Sequence, residues 1–269
     1  MMRSGLGGLS LVLVMAPLLC LSACNPTDPL SIDFEARINS EAFSCGQTYS
    51  ILGTELRPRD LRLFVSNFQL IRGDGSTETL RLDADGRFTT KTTALLDFED
   101  GSGSCSNGNE LLNTRVQGRV KRGSYERLRF DIGVPFAENH ADPMRAEAPL
   151  TTTSMHWGWQ GGYKFLRLDA LTDSKPIKIH LGSTGCQGTI GHISACSNPN
   201  RAQVELPLKS PPATSVVFDF GRIIEQLLAV ESPDCMGEAD DAGCAPVFEG
   251  LGLSAASGTP QKPATLVVP

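Results

Sequence analysis

Alternation of apolar and polar residues dominates this chain. Leu128, Phe130, Ile132 and Val134 interleave with Arg127, Arg129 and Asp131. "PIKIHLG" sets Ile177, Ile179 and Leu181 against Lys178 and His180, "AQVELPL" does the same with Val204, Leu206 and Leu208, and "LRLFVSN" alternates from Leu61. Successive side chains of an extended strand face opposite sides, so each run has one face for a core and one for water. That pattern predicts half-buried antiparallel strands. Asp74-Gly75 in "RGDGSTETLRL" predicts a hairpin. Asp83, Asp85 and Gly86 in "LDADGRF" resemble a calcium loop, but no glutamate stands at the required spacing, so a plain turn is predicted. One segment changes period: Ile223, Ile224, Leu227 and Leu228 recur at helical spacing around Glu225 and Gln226. Many short strands and a single helix predict an all-β fold, an antiparallel β-sandwich-like domain with one short helix and long disulfide-stapled loops.

The ends of the chain read differently. Arg3 followed by "LSLVLVMAPLLC" is an export leader, its apolar run too short to span a bilayer as a mature helix. "LSAC" then matches a bacterial lipobox, which makes Cys24 the lipidated first residue of the mature protein. Asn25, rather than aspartate, gives no signal for retention in the inner membrane. The expected organisation is a lipoprotein signal peptide over 1–23, a lipidated tether over 24–31, a β domain over 32–255 and a flexible tail over 256–269. The expected location is the cell envelope, as an outer-membrane lipoprotein facing the periplasm or exterior. Removing Arg3 from the 24 basic residues leaves 23 against 30 acidic ones, a net −7 that argues against a nucleic-acid partner.

Export also decides how the cysteines are read. Cys45, Cys105, Cys186, Cys196, Cys235 and Cys244 form an even set in an oxidising compartment, for which disulfides are the first expectation. Short-range pairing joins Cys186 with Cys196 and Cys235 with Cys244, leaving Cys45 with Cys105, although six cysteines allow fifteen connectivities. A thiolate metal site is the competing reading. It lacks any C-x-x-C spacing, and the absence of C-x-x-C-H means that the chain carries no c-type haem of its own.

Candidate chemistry gathers in "MHWGWQGGYKF", which holds both tryptophans, Trp157 and Trp159. Alternation would set Met155, Trp157 and Trp159 on one face and His156, Gly158 and Gln160 on the other. Two accounts stand open: an aromatic core strand, or indoles accessible to an external oxidant. The four histidines are His140, His156, His180 and His192. His140 follows a strand in a loop and His180 sits near a strand end, and two imidazoles with a further donor suit copper. His192, inside the loop between Cys186 and Cys196, reads as structural, and each of the others has a structural reading as well. No H-E-x-x-H, G-x-S-x-G or Walker A pattern occurs, so the chain is not expected to be an enzyme.

Six ordered segments, "LRLFVSNFQLI", "ALLDFEDGSGSCSNG", "FDIGVPFAENHADP", "MHWGWQGGYKFLRLD", "IHLGSTGC" and "CSNPNR", resemble the MbnP family, also called metallo-mystery pair four-Cys motif proteins. The resemblance runs from about residue 32 to about residue 208. It implies an exported or lipid-anchored copper-binding protein, with a tryptophan oxidised to kynurenine by a di-haem partner, MbnH, similar to MauG and bacterial cytochrome c peroxidases. Carried onto this chain, the modified residue is Trp157 or Trp159, and the copper ligands are His140 and His180, with His156 as a further candidate. The family cysteines correspond to Cys105, Cys186 and Cys196, with Cys45 as the fourth. Cys235 and Cys244 lie past the shared region and read as an extra local bridge. Tyr163 and the two indoles would carry electrons between the haem partner and the site. The alternative is a structural or adhesive surface β-sandwich with no metal.

Overall fold

A computed structural model describes Met1 and residues 26–268, apart from 107, 210 and 239. The expected lipidation residue, Cys24, and residues 2–23 of the leader lie outside these described residues. Two sheets face each other. In the first, the strands run in the order Val267–Val268, Ala213–Asp219, Thr27–Ile38, Arg115–Lys121 and Arg81–Leu82. The second runs Ala202–Pro207, Arg127–Ile132, Thr54–Ile71, Leu166–Thr172, Ile177–Leu181 and Asp234–Cys235. Their inner faces supply one core, in which Phe34 of the first sheet meets Phe130 of the second edge-on at 5.7 Å and Phe68 stacks on Phe130 at 5.3 Å. The all-β sandwich read from alternation is the fold. Most pairings are antiparallel, but Thr27–Ile38 runs parallel to Ala213–Asp219, and Ile177–Leu181 parallel to Asp234–Cys235.

Three differences have physical causes. The sequence shows one helix, α2, Gly221–Leu228, but a second of the same length, α3, Cys244–Leu251, follows it, and a single turn, α1, spans Phe136–Asn139. Six of the eight residues of α3 are buried, so no polar face marked its period. Within the tail expected to be flexible, Val267 and Val268 pair with Phe218 and Val217, and Leu266 is buried. The tether expected over 24–31 ends early, because Thr27 already opens the first strand.

Disulfides join Cys45 to Cys105, Cys186 to Cys196 and Cys235 to Cys244, the pairing that short spacing predicts. Asp74-Gly75 forms the expected hairpin, with Arg72 N donating to Ser76 O at 2.9 Å. Asp85 forms a plain turn, its Oδ1 accepting from the backbone N of Arg87, Phe88 and Thr89.

The long strand Thr54–Ile71 is buried on both faces over residues 60–66. Leu61, Leu63 and Val65 enter the inter-sheet core, whereas Phe64 enters a second cluster with Leu95, Val134, Met155, Tyr163 and Phe165. That cluster holds down the excursion between Ile132 and Leu166, which carries the indoles. Charges are buried on the same side: Arg62 pairs with Asp60, and Arg167 bridges Asp60 at 3.1 Å and Asp169 at 2.7 Å. Asp97 faces Arg62 across the strand pair. Burial, helped by Glu99 and Asp60 against the pull of Arg62, raises the Asp97 carboxyl to about 7. The fold therefore holds a proton that the unfolded chain has already released above its ordinary carboxylate range, and this stability is lost as pH rises through about 7. Between pH 6 and 8.5 the Asp97 contribution is expected to fall by about 1–2 kcal/mol. Urea unfolding of Asp97→Asn should lack this fall; an identical pH profile for both proteins would refute the assignment.

Candidate metal and oxidation site

Gly-rich turn chemistry shapes the excursion. The strands His156–Gly158 and Gly162–Tyr163 form a short hairpin with His156 opposite Tyr163. The turn between them breaks the alternation expected for this stretch. Met155 does not share a face with the indoles: it ends the 3-10 turn Thr153–Met155 and is fully buried in the second cluster. Trp157 is half-buried on the hairpin, and Trp159, on the turn, is 42% exposed.

Both indoles line a cleft of about 450 Å³ with Gly161, Cys186, Met236 and Glu238. The six-membered ring of Trp157 lies over Gly182, where an added Cβ would stand 3.0 Å from Trp157 Cε3 and 2.5 Å from the Tyr163 carbonyl oxygen. Gly182→Ala should therefore disturb both the Tyr163 carbonyl and the Trp157 ring, and displace the ring toward the cleft. In a Trp159→Phe background, where Trp157 is the only indole, its fluorescence emission is expected to shift to longer wavelength. Unchanged emission would mean that the ring does not rest on Gly182.

Asn139, which sequence reasoning missed, locks this hairpin to His140. Its Nδ2 donates to Gly161 O at 2.9 Å, and its Oδ1 accepts from Tyr163 N at 2.9 Å. Close approach is possible because Gly162 has φ +78° and no Cβ, which would fall 2.4 Å from Asn139 Oδ1. These two backbone partners fix the amide orientation, so the Asn139 Nδ2 lying 3.1 Å from His140 Nε2 must donate to it. The Nε2 lone pair is thereby unprotonated, and the ring proton sits on Nδ1, which is buried without a partner among the described residues. Burial, reinforced by Arg201, lowers the His140 pKa. The imidazole is neutral at pH 7, as a metal ligand must be. Its Nε2 also lies 3.4 Å from Cys196 Sγ of the Cys186–Cys196 disulfide. The only sequence signal for Asn139 is its place beside His140 in "ENHAD".

His180 takes a different position. Its Nε2 lies 2.8 Å from Asp169 Oδ1, and it lines a separate cavity with Arg59, Arg167 and Lys178 rather than the indole cleft. Although burial pushes the Asp169 carboxyl up, the hydrogen bond and charge of His180 together with Arg167 hold it below the usual range. In the neutral ring, Nε2–H donating to an ionised Asp169 would leave the lone pair on Nδ1, the way carboxylates orient metal-ligating histidines. Gly182, under the Trp157 ring, is two residues further along, about 7 Å for extended chain. The two candidate histidines thus do not share one cavity wall, and neither lines the cleft that holds the indoles. His156 stands apart, half-buried with its ring edge-on to Tyr163 at 5.3 Å, and does not line the cleft. His192 is exposed on the hairpin that the Cys186–Cys196 bridge closes.

A family model described as MbnP matches residues 27–237. Among solved structures, MbnP from Methylosinus trichosporium is similar at a TM-score of 0.78 and 26% sequence identity, covering 90% of this chain and 98% of that one. No curated protein matches the chain.

Proposed function

Because the chain belongs to the MbnP family, we propose that it is an exported, lipid-anchored copper-binding protein, matured when a di-haem partner oxidises Trp157 to kynurenine. The chain itself turns nothing over: it is first the substrate of an oxidation and then a binder, held at the envelope through Cys24.

The observation that carries this reading is the half-buried Trp157 ring, set over Gly182 with its accessible side in the cleft. An indole N–H is a donor only and cannot ligate a metal. Cleavage of the C2–C3 bond by two peroxide equivalents inserts two oxygens and gives N-formylkynurenine and two waters. Hydrolysis then releases formate and leaves an aryl amine, so the oxidation creates a nitrogen donor. The donors proposed to join it suit copper: His140 offers an imidazole with its lone pair on Nε2, and His180 would offer Nδ1 while Asp169 orients its ring. Asn139 would give up its hydrogen bond to Nε2 on metal binding and keep its two backbone bonds. Bound copper supplies a soft acceptor for imidazole and aryl amine. Trp159, on the exposed turn, suits electron exit toward the haem partner, and Tyr163 behind the hairpin is the next aromatic in reach of His156.

Mass spectrometry of the protein treated with a di-haem peroxidase-like partner and peroxide tests this reading. The peptide holding residues 155–164 should gain one oxygen and lose one carbon, with fragmentation placing the change at Trp157. An unmodified peptide under conditions that reduce the peroxide would overturn it.

A further inference from the structure

The donors around His140 extend beyond the kynurenine reading. A ring nitrogen of His140, Cys186 Sγ and Cys196 Sγ all lie within 4.8 Å of one another, with Nε2 3.4 Å from Cys196 Sγ. We propose that the Cys186–Cys196 disulfide masks a second metal site, in which the two thiolates and His140 Nε2 hold Cu(I) once the bridge is reduced.

Accessibility singles out this bridge. Cys186 lines the open cleft and Cys196 is only half-buried, whereas Cys105, Cys235 and Cys244 are fully buried and Cys45 is 2% exposed. A dithiol reductant therefore reaches one disulfide of the three in the folded chain. Cutting it need not scatter the donors. The strands Thr184–Thr189 and His192–Asn198 form their own two-stranded sheet, with Cys186 opposite Cys196 and further pairs at Thr184–Asn198 and Gln187–Ala195. Backbone pairing keeps the two cysteines face to face without the S–S bond. Metal–sulfur bonds of about 2.3 Å need sulfurs about 4 Å apart around a trigonal centre, a separation that side-chain rotation supplies. The 3.4 Å between His140 Nε2 and Cys196 Sγ is already close to that spacing.

The redox balance is simple. A thioredoxin-like dithiol gives two electrons and two protons to the bridge and becomes a disulfide itself, leaving two protein thiols. On metal binding each thiol loses its proton to solvent, while the neutral His140 loses none. Thiolates select soft ions, and three donors, with no fourth His, Cys, Asp or Glu in the group among the described residues, suit trigonal Cu(I) better than tetrahedral zinc. This site requires no kynurenine.

That independence sets the experiment. Full-length Trp157→Phe protein, which cannot form kynurenine at 157, is treated anaerobically with a phosphine reductant and titrated with Cu(I) against a coloured Cu(I) chelator. The expected result is one Cu(I) bound after reduction and none before, with a near-ultraviolet sulfur-to-copper band. Alkylation mapping should find only Cys186 and Cys196 freed, and His140→Ala should weaken binding at least about tenfold. Retention of the circular dichroism spectrum is part of the expectation, because the dithiol form must stay folded. No uptake by the reduced chain, unfolding on reduction, release of other cysteines, or unchanged affinity in His140→Ala would each overturn the proposal.

Discussion

Trp157→Phe is expected to abolish kynurenine formation in this chain and to weaken copper binding by about two orders of magnitude or more, the scale of losing a ligand rather than a neighbour of one. Trp159→Phe should still yield kynurenine at 157, though more slowly. The two indoles differ in what holds them. Trp157 lies over Gly182 and Gly161, so an amine made from it starts in a fixed place. Trp159 sits in the turn at 42% exposure, where a new amine would have to order itself before ligating, at a cost in side-chain entropy. Peptide mass spectrometry on both variants after oxidation checks the assignment. Kynurenine at 159 with 157 untouched would reverse the roles.

The second large effect is expected at the imidazoles. His140→Ala and His180→Ala together should reduce copper binding by the matured protein to the level of the unmodified one, measured by competition with a chelator. Asp169→Asn tests the orienting step separately. It keeps the volume but removes the ionised acceptor facing His180 Nε2, and an expected loss of about 10–100-fold matches other carboxylates that orient a ligating histidine. A structural role for Asp169 alone would lower thermal stability and leave affinity per folded molecule unchanged. pH gives a further sign check. Burial lowers the His140 pKa, so in the folded state its lone pair stays available as pH drops somewhat below the ordinary histidine value. Unfolded chains take up the proton first, so the stability tied to neutral His140 is present above about pH 6.5 and declines below it. Competition-measured affinity that falls steeply already at pH 7.5 would contradict a neutral, buried ligand.

Much of this was legible in the residues, and the failures have physical causes. Alternation at Leu128–Val134 and Ile177–Leu181 shows strands because one face of each meets the core. Short cysteine spacing gives the right bridges because Cys186 and Cys196 lie opposite each other in one hairpin. Alternation fails at Met155–Trp159, where a 3-10 turn, a glycine-rich tip and the positive φ of Gly162 replace a continuous strand. The role of Asn139 is invisible to pattern, since it depends on backbone groups of residues 161 and 163 that only the fold brings to it. His180 looks like any polar residue on a strand until its cross-strand neighbourhood, Arg167 and Asp169, is known. Helix α3 and the C-terminal strand escape for the opposite reason: their residues are buried by partners far away in sequence.

The central claim is that oxidation of one indole completes a metal site which the unmodified chain lacks. A copper titration under air, with the disulfides intact, tests it most directly on two forms of the same protein, one carrying kynurenine at 157 and one carrying tryptophan. One tightly held copper in the kynurenine form and only weak binding in the tryptophan form is the predicted result. Equal affinity in the two forms would contradict it.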